Sequence, residues 1–114
     1  MVINRTSSLG SQAEAFRQEI LKNPKIKQAS YSLHVPGTIE SNTAFYEEGA
    51  TADQTVVIDY TGTDCYFDET YDLEMAAGRF FSEDYATDSL CVLINEAAAR
   101  KLGLEKPVGK NYIW

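Results

Sequence analysis

The first strong hydrophobic pattern lies near the N-terminus. Ser11 and Glu14 match a capping box, in which a serine and a glutamate three residues later bind free helix amides. Apolar residues then follow at helical spacing: Ala13, Phe16, Ile20 and Leu21. Asn23-Pro24 ends the pattern, because the residue before a proline avoids the α region. The spacing predicts a helix over residues 11–22.

The next part of the chain predicts strands. Apolar and polar residues alternate over residues 29–35, which is typical of a strand with one buried face, and Pro36-Gly37 ends it. Residues 43–46 form a candidate short strand. Residues 55–61 have the highest content of β-branched side chains and predict the strongest strand. We expect the last two segments to pair as a hairpin.

Further elements are predicted up to residue 94. Asp64 is placed to cap a short helix that contains Tyr66, Phe67, Thr70 and Tyr71. Residues 73–77 alternate and predict a short strand that ends at Gly78-Arg79. Residues 90–94 are apolar on both faces, so we expect a strand that is buried on both sides.

The C-terminal part predicts a helix and a final strand. Asn95 is a good N-cap, and Glu96 and Arg100 are spaced to form an ion pair. Gly103 is placed to close the helix in a left-handed conformation. A turn at 107–109 and a strand that begins at Tyr112 follow. The chain is therefore predicted to be α+β, with two main helices packed on a mixed or antiparallel sheet, and a core that includes Phe16, Ile20, Leu90, Val92 and Ile94.

Composition restricts the class of protein. The 114 residues suit one domain, and 44% hydrophobic with 24% charged residues is ordinary for a folded chain. A net charge of −7 argues against nucleic acid and anionic membrane surfaces as partners. The sequence has neither an apolar run that would span a bilayer nor a signal peptide. Its abrupt start and apolar end nevertheless lead us to expect a piece of a membrane protein.

The candidate reactive residues do not form a recognisable catalytic motif. Cys65 and Cys91 lack the spacing of a metal site, and both a disulfide and two free thiols are open readings. His34 is the only histidine, on the polar side of its predicted strand, without a nucleophile motif nearby. Arg79 is expected to pair with a local acid, although an anion site is an alternative.

An acidic run is the remaining candidate for chemistry. Spacing would place Asp64 and Asp68 on one face of a short helix, where carboxylates serve hydrolysis or hold calcium. A solvated acidic face is the simpler interpretation, since the calcium-loop pattern is absent, and Gly109-Lys110 lacks the rest of a phosphate loop. We therefore expect no catalytic, cofactor or metal residues. The run comprises Asp64, Asp68, Glu69, Asp72 and Glu74.

Several motifs in this half of the chain resemble a known family. An aspartate-aromatic segment at 64–67 precedes a Gly-Arg-x-Phe turn at 78–81. A strand-like segment then leads into Asn-Glu-x-Ala and Leu-Gly within 92–103, and Pro-x-Gly-Lys follows at 107–110. This order is similar to the MacB-type periplasmic core domain of FtsX-like ABC transporter permeases. Family domains continue with further strands beyond the point that corresponds to Trp114.

The resemblance implies an extracytoplasmic domain, on the periplasmic side of the inner membrane, over residues 1–114. It implies a non-enzymatic role that couples ATP-driven conformational change to export of, or contact with, a substrate or envelope partner. The implied partners are the rest of the permease, its cytoplasmic ATPase, and a second permease copy or a periplasmic or outer-membrane protein. Two alternatives stay open: a stand-alone extracytoplasmic module that binds a peptide or lipid, or regulates an envelope enzyme, and a hydrolase that uses the acidic run.

Overall fold

The computed structural model describes residues 1–4, 6–38, 41–47, 51 and 54–113. Three α-helices lie at Ala13–Leu21 (α1), Phe67–Tyr71 (α2) and Glu96–Lys101 (α3). Three strands lie at Asn42–Glu47 (β1), Val56–Asp59 (β2) and Tyr112–Ile113 (β3). Among these residues, a first 3₁₀ segment covers Thr6–Gln12, with a kink at Gly10, and a second covers Ala86–Leu90. The α+β class predicted from the sequence is confirmed.

The sheet has the strand order β2-β1-β3 and is antiparallel. β1 and β2 pair from Asn42 opposite Asp59 to Phe45 opposite Val56, so the predicted hairpin is confirmed. β3 pairs with the far end of β1, where Tyr46 lies opposite Ile113. The predicted C-terminal strand therefore completes the sheet on the other side of β1.

The predicted strand over residues 29–35 is reduced to one bridge, between Ser32 and Thr63. The main chain of Asp64 donates to Tyr31 O at 3.1 Å, so the segment does run beside the chain that follows β2. The Tyr31 amide, however, donates to the Asp64 carboxylate at 2.7 Å. The Asp64 carboxylate thus accepts the Tyr31 amide, which in a regular strand would donate to a main-chain carbonyl. A continuous ladder of main-chain hydrogen bonds therefore does not form.

The predicted strands at 73–77 and 90–94 are wrong, since neither segment is a strand in the structure. Leu90 is 89% exposed and ends a 3₁₀ segment, because the Cys91 amide donates to Asp88 O at 3.0 Å and turns the chain there. Val92 is exposed as well. The predicted core is therefore wrong for Leu90 and Val92, whereas Phe16, Ile20 and Ile94 are half-buried. The buried hydrophobic residues of the described chain are Phe45 and Phe67.

The first helix begins later than its capping box predicts. Ser11 lies in the 3₁₀ segment, and α1 starts after Gln12, which makes no side-chain cap. The Glu14 carboxylate accepts hydrogen bonds from Arg17 and Gln18 instead of turning back to the helix start. A guanidinium one turn away competes successfully for the carboxylate, so the box does not form.

The last helix follows the sequence closely. The Asn95 side chain accepts from the Ala98 amide at 2.8 Å, and Glu96 and Arg100 lie 3.4 Å apart. Gly103 has φ +69° beyond the helix end, where Leu104 N donates to Ala99 O. Each of these contacts is local, which is why spacing alone predicts them.

Arg17 joins three parts of the chain. Its side chain is 4% exposed, and its Nε and Nη2 donate to both oxygens of Glu14 at 2.9 and 3.0 Å. Its Nη1 donates to the Gln28 amide oxygen at 3.1 Å, and the guanidinium lies 3.5 Å from the centre of the Tyr66 ring. A second link, from the Tyr31 hydroxyl to the Ala13 carbonyl, runs beside it. These contacts fix α1 against the segments at 28–31 and 64–66.

Replacement of Arg17 by lysine should weaken the fold. Lysine keeps the charge but cannot donate to both Glu14 oxygens and Gln28 while stacking on Tyr66, so we expect a loss of about 2 kcal/mol. Urea unfolding followed by circular dichroism measures this. Arg100→Lys is the matched control, because that ion pair is largely exposed and should change little. Equal effects of the two substitutions would contradict the assigned role of Arg17.

The Arg17–Glu14 pair should also make stability depend on pH. Hydrogen bonds from Arg17 and then Gln18 lower the pKa of Glu14 below its ordinary value of 4.5. The unfolded chain thus binds this proton first on acidification, so the pair stabilises the fold above pH 4.5 and loses that effect as pH falls through the lowered pKa. Urea midpoints should separate the wild type from Glu14→Gln at pH 7 and converge towards pH 3. A gap that stays constant with pH would contradict this linkage, and Glu19→Gln serves as the exposed control.

Candidate functional site: the acidic groove and the motif segment

An open groove of about 290 Å³ lies between the start of α2 and the loop before the second 3₁₀ segment. We call it the acidic groove, because four of its eight lining residues are carboxylic acids. Two aromatic rings, one thiol and one hydroxyl complete its wall. The lining residues are Cys65, Tyr66, Asp68, Glu69, Phe81, Ser82, Glu83 and Asp84.

Two hydrogen bonds connect one wall of the acidic groove to α1. Gln28 donates to the Glu69 carboxylate at 2.6 Å, and its amide oxygen accepts from Arg17. The groove is therefore positioned by the same contacts that fix α1. On the opposite wall, the Glu83 carboxylate, with partial burial as a second cause, raises the pKa of Tyr66 to about 12.

Asp64 is a structural carboxylate. Its oxygens accept from the Tyr31 amide at 2.7 Å and the Tyr66 amide at 3.1 Å. Burial raises the pKa of Asp64, although these two bonds oppose the shift. Asp64 lies before α2 begins at Phe67, so the expectation that Asp64 and Asp68 share one helix face is wrong. The predicted capping role of Asp64 is wrong as well, because the N-cap of α2 is Tyr66, which makes no side-chain cap, and the bond from the Tyr66 amide to Asp64 closes a turn ahead of the helix.

The rest of the acidic run does not converge on one point. Asp68 and Glu69 line the groove, whereas Asp72 closes α2 with φ 54° and Glu74 is exposed. Over the described residues, no group of three or more histidine, cysteine or acidic side chains is arranged to hold a metal ion. The arrangement gives a negative surface beside two aromatic rings.

Of the remaining candidate residues, Cys65 lines the acidic groove, whereas His34 and Cys91 are not among its lining residues. His34 is half-buried, with Nε2 3.3 Å from the Ser41 hydroxyl oxygen and Nδ1 buried without a described partner. Cys65 is half-buried in the groove wall, and burial raises the pKa of its thiol. Cys91 is exposed. Both cysteines are free thiols in the structure, so of the two interpretations of the sequence, a disulfide or two free thiols, the structure has the second.

The Gly-Arg-x-Phe motif builds a closed loop. Gly78 has φ +77°, and a side chain there would lie against Val108. Arg79 donates to both oxygens of Asp88 at 2.6 and 2.8 Å and lies 4.1 Å from the Tyr85 ring centre. Asp88 also accepts from the Ser82 amide at 2.9 Å. The predicted pairing of Arg79 with a local acid is confirmed.

Comparison of the chain with protein-family models, with curated proteins and with solved structures gave no match. Among the helices that the structure describes, none is long and apolar enough to cross a membrane.

Two features of this region were missed from the sequence. The acidic groove depends on Tyr66 and Glu83, which are 17 positions apart and share no motif. Arg17 had a local signal, because Glu14 precedes it by three residues, the spacing at which helix side chains meet. Its long-range partners, Gln28 and Tyr66, had none.

Loss of the Asp88 carboxylate should open the loop that begins at Gly78. Asp88→Ala removes the acceptor of the Ser82 amide and the partner of Arg79, so the Ser82 amide should exchange with solvent faster. Hydrogen exchange followed by NMR measures this. Asp84→Ala is the control, because Asp84 contacts only the Ser82 hydroxyl among its described side-chain bonds. Unchanged exchange of Ser82 in Asp88→Ala would contradict the structural role of Asp88.

Proposed function

We propose that this chain is a non-enzymatic extracytoplasmic domain of an FtsX-like ABC transporter permease, similar to MacB-type periplasmic core domains. It would couple ATP-driven conformational change to export of, or contact with, a substrate or envelope partner. The proposal rests on the order of the motifs between residues 64 and 110.

The observation that carries the proposal is the structural role of the motif residues. Gly78 has a left-handed turn, Arg79 clamps Asp88, and Asn95 caps α3. Gly103 closes that helix, and Gly109 has φ +80° in the following turn. Motif residues that set backbone turns and helix ends supply shape instead of reactive groups, which favours a domain that presents surfaces to its partners.

Exposed apolar side chains favour a role in contact with other protein. Large exposed apolar surface often marks a site of interaction. In this chain such residues cluster in sequence around the clamped loop, within 73–75, 90–92 and at 108: Leu73, Met75, Leu90, Val92 and Val108. The rest of the permease, a second permease copy and a periplasmic or outer-membrane protein are the partners we propose for these surfaces, and the ATPase would act from the cytoplasm.

Labelling of Cys91 tests the location. The thiol is exposed, so a membrane-impermeant maleimide should modify it in intact cells that express the full-length gene product in a Cys65→Ser background. Cys91→Ser in the same background controls for other sites. Labelling that occurs only after lysis, at the rate of a cytoplasmic marker, would place the domain inside the cell and refute the proposal.

Purification of the same product from detergent-solubilised membranes tests the transporter role. We expect it to co-purify with a protein or domain that carries a GxxxxGK[ST] phosphate loop. External labelling of Cys91 without such a partner would refute the permease assignment. That result would favour the stand-alone extracytoplasmic module, for which the acidic groove with Tyr66 and Phe81 supplies an open recess.

A further inference from the structure

The outer edge of β2 presents main-chain hydrogen-bonding groups. Among the described strands, β2 stands at one end of the order and pairs with β1 alone. Tyr60 N donates to Ser41 O, which shows that Tyr60 faces β1. Main-chain groups alternate in direction along a strand, so Val57 and Asp59 direct their N–H and C=O groups away from β1. Such an edge is a template for another strand.

Lys101 covers this edge. Its ammonium donates to the outward carbonyl of Val57 at 2.8 Å, although the two residues are 44 positions apart. The side chain comes from the last residue of α3, and Val57 itself is 53% exposed. Lysine at an edge hinders strand addition, because a second strand would have to displace or bury its charge.

We propose that Lys101 blocks the outer edge of β2, and that the segment it excludes is β2 of a second copy of the chain. The residues of β2 suit pairing with themselves. An antiparallel pair centred on Ile58 places Ile58 opposite its own copy on the half-buried face. Val57 then lies opposite Asp59 of the second copy, and the outward N–H and C=O groups of both residues can pair. The two Asp59 carboxylates do not lie opposite each other.

The overall charge opposes this pairing and defines the control. Each chain carries a net charge of −7, so two copies repel one another, and loss of any lysine raises the repulsion. Lys106→Ala changes the net charge by the same amount as Lys101→Ala, and Lys106 is exposed in the loop after α3. A difference between these two variants therefore reports the edge and not the charge.

The test is the oligomeric state of purified protein at 0.15 M salt, measured by sedimentation over a range of concentrations. We expect Lys101→Ala and Lys101→Met to dimerise at concentrations at least ten-fold lower than the wild type and Lys106→Ala. Lys101→Met keeps the apolar stem and loses the ammonium group, and Lys106→Ala controls for the lost charge. If either Lys101 variant associates no more strongly than Lys106→Ala, the proposal is overturned.

A double variant locates the contact. The Val57 amide points away from β1, so proline at this position removes an outward donor without breaking a bond to β1. Lys101→Ala/Val57→Pro should return to the association of the wild type, with circular dichroism verifying that both variants are folded. Association as strong as that of Lys101→Ala would show that the dimer uses another surface, and would overturn the proposal. The inference rests on β2 and α3 alone, so failure of the permease proposal leaves it unaffected.

Discussion

The buried guanidinium of Arg17 is the contact on which the arrangement of this domain depends. Two apolar side chains, Phe45 and Phe67, form the buried core of the described chain, so hydrophobic burial alone gives α1 little to pack against. Arg17 supplies directional bonds to Glu14 and Gln28 and a flat surface for Tyr66. An isolated helix of nine residues is marginal in water, so these bonds determine where α1 lies.

The second polar connection is the Asp64 carboxylate, and it works with the first. It accepts hydrogen bonds from the main-chain amides of Tyr31 and Tyr66. Tyr66 also provides the ring that lies against the Arg17 guanidinium. The two charged groups thus organise one polar layer from which α2 and the acidic groove extend. A carboxylate that accepts two amides at partial burial keeps a raised pKa, since desolvation outweighs the bonds.

Several local signals in the sequence predicted local structure, although the Ser11–Glu14 capping box did not form. The Asn95 cap, the Gly103 helix end and the β1–β2 hairpin all follow from residues a few positions apart or from strong β-branched content. The segment at 90–94 failed, because Asp88 binds Arg79 and Ser82 and turns the chain just before an apolar run. The hydrophobic pattern of residues 90–94 contains no information about these contacts of Asp88. The candidate site was the least predictable part, since Tyr66 and Glu83 meet only through the fold.

The position of β3 has a consequence for how the chain folds. Tyr112 and Ile113 pair with Glu47 and Tyr46, so the central strand gains its second neighbour only after nearly the whole described chain has been made. The Gln28–Glu69 and Lys101–Val57 bonds also join distant positions. Non-local contacts of this kind raise the contact order, and loop closure must precede the stabilisation that each contact gives. During synthesis, this edge of β1 therefore stays without its native partner until residues 112–113 have been made, and until then it is open to chaperones and to mispairing.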